Sequence, residues 1–219
     1  MNELLKKLPY WSSLSDDEKQ LVESAAILRC YPKGALLSEP CEDCLGMTHI
    51  LRGEIRAYIM SDEGREVTLF YLSPGENCVL SASCVIRQIS FDTHMAVTED
   101  ADVLIVPSSV FGKLCEQNIY VRCFMYELAT RRFSSVMFVM QQILFARLDQ
   151  RLAAFLLSEY RSSGCAEIRM TQEQIARHVN SAREVIARML KRFAADGLIE
   201  TYRGIILLKD IDGLEALRR

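Results

Sequence analysis

Met170-Thr171-Gln172-Glu173-Gln174-Ile175-Ala176-Arg177-His178-Val179-Asn180-Ser181-Ala182-Arg183-Glu184-Val185-Ile186-Ala187-Arg188-Met189-Leu190-Lys191-Arg192-Phe193 decides the fold. Two capping boxes occur in it, Thr171 with Gln174 and Ser181 with Glu184, and each opens a helix. Asn180 lies between them, at a turn where a left-handed backbone is needed and Asn tolerates it best among residues with a side chain. Ile175, Ala176 and Val179 supply the inner face of the first helix. Ile186, Met189, Leu190 and Phe193 supply that of the second, which is expected over about Ala182 to Phe193, and the small Ala176 lets the two helices cross closely.

The outer face of that second helix carries Arg183, Glu184, Arg188 and Lys191. An Arg near a helix N-terminus can bond guanine through O6 and N7, and a Glu can accept from a cytosine amino group. Downstream, Asp196-Gly197-Leu198-Ile199-Glu200-Thr201-Tyr202-Arg203-Gly204-Ile205-Ile206-Leu207-Leu208 reads as strand, Arg-Gly turn and strand, which is a wing. Helix-turn-helix, wing and basic face together point to double-stranded DNA. The charge distribution agrees. The 219 residues carry 26 Lys/Arg against 29 Asp/Glu, yet Gly164 onward holds ten basic against eight acidic residues, and Arg177, Arg183, Arg188, Lys191 and Arg192 face only Glu184 within residues 177–192.

Upstream of this segment, Asp149 to Ser162 reads as a helix ended by Ser162-Ser163-Gly164. Before it, residues 108–161 contain no proline. Val121, Met125, Leu128, Val136, Met140 and Ile143 recur there along one stripe of a helix of some 25 residues. The stripe reads as a dimerisation surface meeting its twin, with a core helix as the alternative; Arg132, on the same stripe, then snorkels or pairs across the interface. From Arg29 to about Pro107, short Ile/Leu/Val/Tyr/Phe runs alternate with turn residues at Pro32-Gly34, Gly53-Glu54, Asp62-Glu63-Gly64 and Ser73-Pro74-Gly75, the pattern of antiparallel hairpins. Ser15-Asp16-Asp17-Glu18 caps a short N-terminal helix. The chain is therefore read as α+β. A sensor domain, an antiparallel β-roll or jelly-roll, spans 1–118, a dimerisation helix 119–147, and a winged helix-turn-helix 148–219.

The sequence resembles the Crp/Fnr family of transcription regulators over almost its whole length. Tyr31-Pro32-Lys33-Gly34, Leu51-Arg52-Gly53-Glu54-Ile55, Asp62-Glu63-Gly64-Arg65-Glu66-Val67 and Leu72-Ser73-Pro74-Gly75-Glu76 look like its cyclic-nucleotide-binding-type barrel. Asp149-Gln150-Arg151-Leu152-Ala153-Ala154-Phe155-Leu156 looks like the helix after its dimer helix. The resemblance implies a homodimer on a palindromic operator, gated by an effector in the barrel, with RNA polymerase as a partner if the protein activates. Arg183, Glu184 and Arg188 match base-reading positions. Ser181 and Val185 lie beside them, and Thr171, Lys191 and Arg203 complete the expected DNA contacts. The alternative is a ligand-binding module acting on a protein partner. No Ser/His/Asp arrangement, phosphate-binding loop or H-E-x-x-H occurs, so no catalysis is expected.

The sensor departs from members that bind cyclic AMP. Their Gly-Glu pair becomes Val79-Leu80, and the loop that carries their Arg-Ser pair reads Ser90-Phe91-Asp92-Thr93-His94, without Arg. A phosphate buried without a cation is costly, so cyclic AMP is not expected. The effector stays unknown. Its candidate pocket is Cys78, Val79, Leu80, Ser81, Ser83, Cys84, Val136 and Met137. Cys41-Glu42-Asp43-Cys44 is a redox or metal candidate, an iron-sulfur cluster is disfavoured because residues 1–29 lack Cys, and His94 is a weak candidate for a haem ligand. Residues 1–7 have no long apolar stretch and no run of eighteen apolar residues occurs, so neither signal peptide nor membrane span is expected and the cytoplasm is the expected location.

Overall fold

The computed structural model describes residues 2–38, 45–79 and 93–218. They form two compact units, Met1–Arg65 with Leu69–Val136 and Met137–Arg219 with Glu66–Thr68.

The first unit opens with α1 (Asn2–Leu5), a 3-10 turn at Trp11–Ser13, and α2 (Asp16–Ala25). The Ser15 box that starts α2 is present: Glu18 N–H donates to Ser15 Oγ at 3.3 Å and Ser15 N–H donates to Glu18 Oε2 at 2.7 Å. Strands β1 (Ile27–Tyr31), β2 (Leu36–Ser38), β3 (Met47–Met60), β4 (Glu66–Leu72), β5 (Asn77–Cys78) and β6 (His94–Val106) follow. They make an antiparallel sheet in the order β1-β6-β3-β4, with β2 on β6 and β5 on β3. Ile50, Ile55, Val97 and Val103 meet Leu69, Leu72 and Cys78 in one apolar cluster. A second cluster packs the N-terminal helices on Leu104, Val106, α3 (Ser108–Gln117) and the first turns of α4 (Ile119–Phe145).

Gly53-Glu54 is not a turn. β3 runs through it as one strand of 14 residues, and the register against β6 shifts between Arg52 and Glu54. Gly53 sits in this bulge at φ +82°, and a Cβ there would lie 2.3 Å from Asp100 O. Only glycine combines the positive φ with so close a backbone approach. The turns expected at Gly64 and Gly75 are formed, with Gly64 N–H donating to Ser61 O and Glu76 N–H to Ser73 O.

The stripe expected to meet a twin is used otherwise. Val121, Met125 and Leu128 are buried against the chain's own core, while Met140, named in the same stripe, is exposed. Arg132 neither snorkels nor waits for a partner chain: it is buried, with Nη2 3.2 Å from Glu76 Oε1 and 3.0 Å from Asn77 O, and its guanidinium lies 4.5 Å from the Phe70 ring centre. A different row faces outward. Ile119, Cys123, Tyr126, Thr130, Phe133, Met137, Met140 and Leu144 are all exposed and are separated alternately by four and three positions. This is the seven-residue repeat of a coiled-coil seam, and it lies on the side of α4 away from Val121 and Met125.

In the second unit, α5 (Leu148–Ser163) ends at Gly164, which takes the left-handed conformation at φ +67° as expected from Ser-Ser-Gly. Then come β7 (Glu167–Ile168), α6 (Gln172–His178), α7 (Arg183–Ala195), β8 (Ile199–Tyr202), β9 (Ile205–Leu208) and α8 (Ile211–Arg218). The β8–β9 hairpin is the expected wing. β7, which pairs with β9, and α8 are additions to the sequence reading, and β7 with two residues is too short to show periodicity. No helix among the described residues is long and apolar enough to cross a membrane.

Substituting Gly53→Ala is expected to cost about 3 kcal/mol or more of unfolding free energy, because strain at positive φ adds to the clash with Asp100. Urea unfolding should show this, while Gly164→Ala, where a Cβ meets nothing within 4 Å, should cost about 1 kcal/mol.

Candidate nucleic-acid interface

Thr171 caps α6 as read from the sequence. Gln174 N–H donates to Thr171 Oγ1 at 3.2 Å, and Thr171 N–H donates to Gln174 Oε1 at 2.8 Å. α6 then closes on Asn180, which takes φ +51°. Ser181 N–H donates to Ala176 O at 2.9 Å and Asn180 N–H to Arg177 O at 3.4 Å, the two bonds of a Schellman ending with Asn in the left-handed position. This ending overturns the second capping box. Ser181 N–H is committed to α6, so α7 begins one residue later, with Ala182 at the N-cap and no side-chain cap bond. Ser181 and Glu184 are then out of step for the reciprocal pair, which needs the capping residue three positions before its acid.

The turn lets α6 and α7 share one core. Ile175, Ala176, Val179, Ile186, Leu190 and Phe193 are all buried in it, together with Leu152 and Leu156 of α5 and Ile199, Ile206 and Leu208 of the wing. Burying the inner face turns Arg183, Glu184, Arg188 and Lys191 outward, and all four are exposed. Val185 is half-buried beside them.

Charge pairing separates these side chains from their neighbours. Arg177 lies 3.6 Å from Glu173, Arg192 lies 3.6 Å from Asp196, and Arg169 lies 2.7 Å from Glu167. Among the described residues, Arg183, Arg188, Lys191 and Arg203 enter no ion pair. Cations without carboxylate partners are free to displace counterions from a phosphate backbone. Arg203 sits at the wing turn before Gly204, which is at φ +76°. A cleft of about 470 Å³ brings Thr171, Arg183 and Arg203 to common walls; Arg188 and Lys191 lie farther along α7, outside it.

The same cleft shows two residues that the sequence reading passed over, Gln172 and Tyr202. Tyr202 is an exposed aromatic at the wing tip, 62% accessible, and that exposure beside Arg203 is its signal. Its hydroxyl donates to Glu200 Oε2 at 2.9 Å, which raises the phenol pKa; the same bond, with Lys209 at 3.2 Å, lowers that of the Glu200 carboxyl. The wing acid is thus neutralised locally.

The four effector candidates among the described residues fall in different surroundings. Cys78 and Val136 belong to the barrel cluster, Val79 is buried in the cluster beneath α3 and α4, and Met137 lies on the exposed seam. Leu80, Ser81, Ser83 and Cys84, and the redox candidates Cys41 and Cys44, lie outside the described residues. His94 stacks on Tyr58 at 5.0 Å between ring centres, and the Arg56 guanidinium lies 4.5 Å from the same ring on the Tyr58 side chain.

Comparison with known proteins agrees with this geometry. A family model described as a Crp-like helix-turn-helix domain matches residues 150–217. The chain is similar to a crystal structure described as a Crp/Fnr-family transcriptional regulator from Eubacterium rectale, 38% identical, with a TM-score of 0.90 and coverage of 98% of this chain and 99% of that one. It is also similar to the transcriptional regulatory protein btr of Bordetella pertussis, 24% identical over 83% of this chain and 75% of the relative. The anaerobic regulatory protein of Haemophilus influenzae is 26% identical over 78% of this chain and 69% of its own length.

Proposed function

The chain belongs to the Crp/Fnr family of DNA-binding transcription regulators, and we propose that it works as a homodimer reading a two-fold symmetric operator through α7, under the control of an effector other than cyclic AMP. The unpaired basic face of α7 carries this reading. Arg183, at the first position of the helix, and Glu184 reach base edges, Arg188 follows one turn later, and Lys191 and Arg203 hold phosphates on either side. Thr171 and Ser181 approach the backbone. Thr171 does so from a hydroxyl already tied into its cap, and Ser181 from the turn.

The homodimer is supported by the exposed seven-residue repeat of α4. Phe133 and Leu144, each 66% accessible in the single chain, lie on it. Two copies packed in register along such a seam cover these side chains and set two α7 helices about a two-fold axis, which a palindromic site matches. The reading against cyclic AMP rests on the absence of an Arg in Ser90–His94 and on Arg132, which is already bonded to Glu76 and Asn77.

Operator selection from a random duplex library, at stated salt, tests the reading helix. Arg183→Ala should weaken binding to the selected site about ten- to hundredfold and relax preference at one base pair. Arg203→Ala should weaken all sequences alike and lower the salt slope by about one. Equal binding by Arg183→Ala and wild type refutes the assignment. Phe133→Glu, which puts paired like charges into the seam, should convert the dimer to a folded monomer in light scattering; an unchanged mass overturns the seam. Cyclic AMP at about 1 mM should leave Tm unchanged, and a clear rise removes that part of the proposal.

A further inference from the structure

The second unit holds a cleft of about 400 Å³ that DNA reading does not use. Its walls come from the last turns of α4, from α5 and from the end of α6, and its size is that of a small-molecule site. Phe138, Val139, Ile143, Ala154 and Phe155 make the lining apolar. Phe155 is stacked on His178, with ring centres 4.9 Å apart, so one wall is a rigid aromatic pair.

The charged side chains of the lining are all cationic. Arg151 and Arg161 on α5 and Arg218 on α8 line the cleft, and no carboxylate is among its lining residues. Glu215 stands behind the rim, bonded to Arg161 and 3.7 Å from Arg218, so one acid is shared by two guanidinium groups there. Arg151, Ala154, Phe155, Ser158 and Arg161 follow one face of α5 at helical spacing, which makes the cleft elongated, about 15 Å from first to last by helix rise.

In the dimer proposed above the cleft stays open. The exposed seam of α4 runs through Phe133, Met137, Met140 and Leu144, whereas Phe138, Val139 and Gln142 lie off it, on the side turned toward α5. We propose that this cleft binds an amphipathic carboxylate, its headgroup held between Arg161 and Arg218 and an apolar chain of roughly ten carbons laid along Ala154 and Phe155 toward Ile143. A bound chain bridges α4, α5 and the residues His178 and Asn180 that end α6, so it braces the turn from which the reading helix starts. This inference needs no operator and no assignment of the sensor effector.

Calorimetric titration of the full-length protein with decanoate tests it. Saturable binding of one decanoate per chain is expected. Octanoate should bind about fifteenfold more weakly, since each buried methylene is worth about a factor of four. Uncharged decanol should bind at least about tenfold more weakly, and so should decanoate to Arg218→Gln. Ser158→Trp, at an exposed position that fills the cleft, should abolish binding while circular dichroism stays native. No saturable heat up to about 1 mM decanoate overturns the proposal. Decanol binding as tightly as decanoate does so too, as does unimpaired binding to Ser158→Trp, which moves the ligand to another site. If Ser158→Trp does not fold, Arg218→Gln at the chain surface decides: undiminished affinity there refutes the headgroup site.

Discussion

Helix α4 must satisfy two apolar rows with one backbone, and the packing of the first unit follows from that constraint. Val121, Met125, Leu128 and Arg132 fall on one side of the helix and are buried in their own chain, which leaves Tyr126, Phe133, Met140 and Leu144 on the other side in solvent. Each row is regular, so neither can be hidden by a small rotation without exposing the other. Arg132 anchors the inner row through Glu76, Asn77 and the Phe70 face. A buried guanidinium needs such partners, because an unpaired charge there costs far more than a lost contact. Among the described residues the outer row has no comparable cover within its own chain, which is the physical basis for proposing that a second copy covers it.

The DNA-reading segment follows from a similar economy of faces. The left-handed Asn180 ends α6 with two backbone bonds and delivers α7 with its apolar side already against Ile175 and Val179. What remains outside is a row of cations. Nearby arginines are neutralised by acids within a turn or on the same hairpin, as Arg177 is by Glu173 and Arg192 by Asp196. Among the described residues those of the reading face are not, and a charge left without a local partner in a folded domain is available to a polyanion.

Much of this was legible in the residues. The Thr171 box, the Asn180 turn, the inner faces of α6 and α7 and the Arg203-Gly204 wing are local patterns, set by neighbours within four positions, and they survive folding unchanged. Where the structure departs from the sequence patterns, a competing contact in the fold is the cause. Spacing alone offers Ser181 as a cap, but the ending of α6 claims its N–H. Gly53-Glu54 looked like a turn because glycine followed by a polar residue usually is one, yet the chain needed its positive φ for a bulge over Asp100. The α4 stripe stands out by its apolarity, which both faces share, and sequence carries no label for which face meets the chain's own core.

The sequence by itself determined the α+β class, the winged helix-turn-helix and the side chains that face outward from α7, because helix caps, a left-handed turn and helical periodicity act over short range. Only the tertiary structure decided which row of α4 is inner and which outer, that Arg132 is an internal ion pair, and that Arg161 and Arg218 meet around one carboxylate beside an apolar cleft. Those outcomes depend on packing between residues tens of positions apart, where competing apolar faces are ranked by the surface they bury together and not by any pattern either one shows alone.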